Sequence, residues 1–107
     1  MTAPFVAGLR VRPEVIRIDG PSPVMTIRVE MPEVWDAVRI DAPVSATVVE
    51  VKVRALEALY PGAASHEEFV MKLRGFEVLD EFASLVEAGA IDGSIFLLTY
   101  RRRRPVR

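Results

Sequence analysis

With 107 residues, half of them hydrophobic and 27% charged, the chain has room for one domain and is too apolar to stay disordered. It has no cysteine, which excludes a disulfide framework, a thiol nucleophile and a thiolate metal site. The net charge of −1 hides an asymmetry: residues 1–100 carry fifteen acidic groups against nine basic ones, and five arginines fall in the last seven positions.

Residues 1–23 hold Pro4, Pro13, Pro21 and Pro23, which interrupt helix and central strand alike. They read as an extended N-terminal arm with an edge strand near 14–18, closed by Gly20-Pro21. From Val24 to Met31 the residues alternate. Met25, Ile27, Val29 and Met31 point one way, as in a half-buried antiparallel strand. Pro32-Glu33 turns the chain into a second strand over 34–41, with Val38 and Ile40 inward, and the pair reads as a hairpin. Thr47-Val48-Val49-Glu50 has capping-box spacing. Val48, Val51, Ala55, Leu56 and Leu59 then form one helical stripe that ends at Tyr60-Pro61-Gly62. A strand over 69–73 follows, with Phe69, Met71 and Leu73 on one face and Val70 and Lys72 on the other. Gly75 makes a turn, residues 76–79 a short strand, and residues 82–88 a short helical turn with Leu85 inward. Ala90-Ile91-Asp92-Gly93 leads into a last apolar strand, 94–100, which runs directly into Arg101-Arg102-Arg103-Arg104-Pro105-Val106-Arg107. The expected fold class is α+β: a mixed four- to five-stranded sheet packed on one helix.

The order of elements over residues 24–104 resembles the ubiquitin-like β-grasp family. Met25-Thr26-Ile27-Arg28-Val29 looks like its first strand. Thr47-Val48-Val49-Glu50-Val51-Lys52 looks like the start of its helix, including a lysine that in the family often sits partly buried against an acidic partner. Met71-Lys72-Leu73-Arg74-Gly75 resembles its third strand and glycine turn, and Leu85 to Ile95 the turn into its final strand. The resemblance implies that the final strand lies parallel to the first and antiparallel to the third. It also implies that Ile95 and Leu97 face inward while Phe96, Leu98 and Tyr100 face outward beside Val70 and Lys72. In the family that outward face carries the hydrophobic patch on which partners dock. Val70, Lys72, Phe96, Leu98 and Tyr100 are therefore the candidate protein-binding residues. The face is either a docking or self-association surface or is covered by the arm through Val15, Ile16 and Ile18. Lys72 stands where the family has its central patch isoleucine, a departure that puts recognition by ordinary ubiquitin readers in doubt.

No catalytic set is expected, and neither a cofactor nor a metal. His66 lies in a polar loop, and Glu67-Glu68 and Asp80-Glu81 read as solvated edges. The serines have no base at a recognisable spacing, and the six glycines form no phosphate-cradling loop. Arg101, Arg102, Arg103, Arg104 and Arg107 suit docking onto carboxylates or phosphates. The acidic body argues against a dedicated nucleic-acid binder. No apolar run approaches the roughly 18–20 residues of a membrane span. The N-terminus lacks the pattern of a signal peptide, so a cytoplasmic location is expected.

Conjugated ubiquitin-like proteins end in Gly-Gly, because the terminal carboxylate must thread an activating enzyme. Here the matching positions are Arg103 and Arg104, and no two glycines are adjacent anywhere. The resemblance therefore points to a non-covalent bacterial adaptor similar to the YukD-like proteins, which lack the diglycine. The arginine-to-lysine ratio of twelve to two also fits a GC-rich bacterial genome. The alternatives are a modifier activated without Gly-Gly and an RNA-binding β-grasp module that uses the arginine tail.

Overall fold

The computed structural model describes residues 10–63 and 65–101, with side chains from residue 14 onward. Its elements are β1 (Arg10–Arg17), β2 (Val24–Met31), β3 (Asp36–Pro43), α1 (Val48–Leu59), β4 (Phe69–Leu73), β5 (Phe76–Glu77) and β6 (Ile95–Tyr100). They form one six-stranded sheet in the order β1-β3-β2-β6-β4-β5. The last strand is parallel to β2 and antiparallel to β4, as expected of a ubiquitin-like β-grasp.

The alternation in β2 is realised in full: Met25, Ile27, Val29 and Met31 are buried in the core, opposite Val38, Ile40 and Ala42 of β3. A 3-10 turn, Pro32–Val34, links the two strands and ends on Trp35 in the left-handed region (φ 53°). The strand that follows therefore starts at Asp36, two residues later than the sequence reading. In α1 the Thr47 hydroxyl accepts the Glu50 N–H at 3.2 Å, capping the first turn. All five residues of the predicted stripe are buried against the sheet, with Lys52 among them. Helix propensity is poor along Val48, Val49, Val51 and Val53, so this buried face holds the helix.

Arg74 (φ 53°) and Gly75 (φ 86°) form the tight turn between β4 and β5, where both central residues need positive φ. Residues 82–88 form hydrogen-bonded turns rather than a helix. Ser84 N–H donates to Glu87 Oε1 at 2.9 Å and Glu87 N–H to Ser84 Oγ at 3.1 Å, a reciprocal cap that presents Leu85 to the core.

The arm contributes β1, which pairs parallel to β3 with a register shift between Val11 and Val15 that accommodates Pro13. It is longer than the edge strand expected near 14–18. Ile18 enters the core, and Gly20 lies so close to Pro43 that a Cβ there would come within 2.5 Å of its ring. Residues 14–18 thus extend the sheet edge and do not fold over its outer face.

Candidate protein-docking face

The solvent side of the sheet is set by how β6 enters it. Gly93 N–H donates to Thr26 O at 2.7 Å, and Thr26 N–H donates to Asp92 Oδ1 at 2.8 Å. These bonds place Arg28 beside Ile95, Val29 beside Phe96 and Glu30 beside Leu97. Val29 is an inward residue, so Phe96 is inward too. Phe96 and Leu98 are fully buried in the core. This corrects the expected facing of β6: Phe96 and Leu98 are core residues, while Ile95, 45% exposed, and the half-buried Leu97 face outward. The run Ile95-Phe96-Leu97-Leu98 is apolar on both faces and carries no alternation, so only the register against β2 determines its phase.

Around Ile95 and Leu97 the outer face carries Lys72 of β4, cross-strand from Leu97, and Thr99, cross-strand from Val70. Val70 alternates out of the core cluster as expected, yet it is buried. On the other flank lie Arg28 and Glu30 of β2, paired at 3.0 Å, and the exposed Arg39 of β3. The result is a narrow apolar stripe on β6 with cationic side chains on both sides. Among the described residues, no element crosses it.

Tyr100 pairs with the inward Phe69, so it lies on the helix side of the sheet, which corrects its expected place on the outer face. Its ring stacks on Phe69 with centroids 4.7 Å apart, and Phe69 meets Tyr60 edge-on at 6.0 Å. Interaction with the neighbouring Tyr60 hydroxyl holds the Tyr100 phenol above the ordinary tyrosine value. Desolvation and the nearby Glu33 and Glu68 carboxylates push in the same direction. Glu33 also accepts the Thr99 hydroxyl, tying the turn after β2 to the end of β6.

Arg101 is bound within its own chain. Its N–H donates to Glu68 O at 2.7 Å, its Nε to Glu67 O at 3.0 Å, and its guanidinium lies 3.5 Å from Glu77. The other tail candidates, Arg102, Arg103, Arg104 and Arg107, lie outside the described residues.

Two features differ from the sequence reading at polar positions. Glu81 is not a solvated edge: its carboxylate lies 2.6 Å from the fully buried Lys52 Nζ, which also donates to Phe69 O at 3.0 Å. The family resemblance had signalled the lysine, but nothing in the string Asp80-Glu81 marked its partner. His66 sits half-buried in the 3-10 turn His66–Glu68 and not in an exposed loop. Among the described residues, no three histidines or carboxylates gather at a metal-binding distance, and no helix is long and apolar enough to cross a membrane.

No protein-family model matches the sequence, and no curated protein matches it. Solved structures do. The C-terminal ubiquitin-like domain of mouse tubulin-specific chaperone e superposes with a TM-score of 0.64 at 17% identity, over 82% of this chain and 97% of that one. The ubiquitin-like domain of an Arabidopsis thaliana protein gives 0.63 at 13% identity, over 83% and 89%. The ubiquitin of Caldiarchaeum subterraneum gives 0.62 at 18% identity, over 76% and 98%. The fold is therefore ubiquitin-like: one helix packed on a mixed sheet.

Proposed function

We propose that this ubiquitin-like domain is a non-covalent protein-interaction module and that the outer face of β6 is its docking surface. One observation carries this reading: Ile95 and Leu97 stand on the solvent face of a central strand, and among the described residues nothing covers them. An apolar stripe on an otherwise charged sheet is costly in water, and a partner's apolar surface removes that cost. Lys72 and Arg39 at its flanks favour a partner with carboxylates at the rim of its own apolar patch. The finer reading, a bacterial adaptor of the YukD-like kind, is supported by the ubiquitin-like fold and the absence of adjacent glycines in these 107 residues.

The test compares capture of host proteins by the wild type and by an Ile95→Asp, Lys72→Glu variant. Both side chains are outside the core, so circular dichroism stays unchanged while capture falls at least about tenfold, roughly 1.4 kcal/mol. An unchanged set of captured proteins removes the face as the docking site. Intact-mass analysis of the protein from its host separates this reading from conjugation: a covalent adduct on a target lysine overturns the non-covalent role.

A further inference from the structure

The largest groove among the described residues is not on the outer face. About 660 Å³ in volume, it runs between β5 and the turns that follow, lined by Phe76, Val78 and Leu79, by the acidic Glu77, Asp80 and Glu87, and by Arg74. Phe76 is 78% exposed and Leu79 85% exposed, and neighbouring Phe82 is 80% exposed. Three large apolar side chains within seven residues, all in solvent, form the most exposed apolar stretch described in the molecule.

The polar groups around them are held in place. Asp80 Oδ1 accepts the Phe82 N–H at 3.1 Å, and Glu87 Oε1 accepts the Ser84 N–H at 2.9 Å. Both bonds come from neutral backbone donors and bring no counter-charge to the carboxylates. Among the described residues neither forms an ion pair: Arg74, which shares the groove, donates to Gly89 O at 3.4 Å, and Glu77 is met by Arg101. The backbone is open as well. Val78 N–H closes back onto Met71 O at 2.8 Å, so the preceding Glu77 turns its N–H and C=O toward the free edge of the sheet.

We propose that this groove is a second docking site, which takes an extended partner segment combining apolar side chains with lysine or arginine. Apolar side chains cover Phe76 and Leu79, cations meet Asp80 and Glu87, and the segment's backbone pairs with Glu77 in the manner of an added strand. The outer face, with Lys72 and Arg39, has the opposite charge character. The two surfaces therefore select different partners, and the second does not depend on the first.

The experiment titrates isotope-labelled protein with a synthetic peptide alternating leucine and arginine, and with its leucine–glutamate counterpart. Saturable amide shifts confined to residues 73–88, weakened by added salt and absent with the acidic peptide, are expected. Leu79→Ser, and separately Asp80→Asn with Glu87→Gln, weaken binding about tenfold and leave the amide spectrum of α1 in place. Unchanged affinity in these variants, shifts centred on Ile95 and Leu97, or equal binding of the acidic peptide overturns the proposal. A concentration-dependent dimer abolished by Leu79→Ser assigns the groove to a second copy and also overturns it. So does movement of the groove amides, without peptide, when residues 102–107 are removed.

Discussion

Lys52 shows what one side chain does for this fold. Its Nζ is out of water, and the cost of burying an ammonium is offset by Glu81 at 2.6 Å and Phe69 O at 3.0 Å. Glu81 O also accepts the Val49 N–H at 2.8 Å, so the same residue holds the helix to the loop at two points. Removing Glu81 strands a fully buried ammonium, whereas replacing the lysine by an apolar chain of similar size leaves a carboxylate that is 15% exposed and reaches water. Glu81→Ala is therefore expected to cost about 3 kcal/mol in urea unfolding, and Lys52→Met distinctly less. Equal losses in the two variants would show that packing, and not the pair, carries the stability.

At the scale of the element, β6 carries two functions on one strand. Phe96 and Leu98 complete the core between β2 and β4, while Ile95 and Leu97 form the outer stripe. Leu98→Ala is expected to destabilise by about 2–5 kcal/mol, the cost of a cavity at a site with no exposure. Ile95→Ala, at a solvent-facing position, should stay within about 0.5 kcal/mol. Paired chemical-denaturation curves check both, and similar losses would refute the assigned phase of the strand. The β4–β5 hairpin makes a different division. Its Arg74-Gly75 turn bends the chain back after Leu73, and the short β5 leaves Phe76 in solvent while Leu73 stays in the core. That placement opens the groove.

At the scale of the whole molecule, β1 distinguishes this chain from the minimal grasp. It pairs with the free side of β3, and Ile18 just beyond it enters the core. Deleting residues 1–17 leaves the other five strands and the helix but exposes the β3 edge. Such an edge is a template for pairing with another chain. The truncated protein is expected to fold, to lose at least about 1 kcal/mol, or roughly 4–8 °C in Tm, and to self-associate in sedimentation. An unchanged melt would show that β1 adds nothing to stability. Much of this architecture is legible in the sequence. The alternation of Met25, Ile27, Val29 and Met31, the stripe from Val48 to Leu59 and the Thr47 cap each carry a local period or a local hydrogen bond, and each appears where it was expected. Other features have no local signature. Ile95-Phe96-Leu97-Leu98 reads the same from either side until Gly93 and Asp92 dock on Thr26. Glu81 looks solvated until the loop closes over Lys52, and the exposure of Phe76, Leu79 and Phe82 depends on what fails to cover them. Local periodicity and capping chemistry thus determined the elements and their order along the chain, and the family resemblance supplied their arrangement as a ubiquitin-like grasp. Only tertiary structure decided which side of β6 meets water and where the apolar groove opens, because register and coverage arise from contacts between residues far apart in the chain.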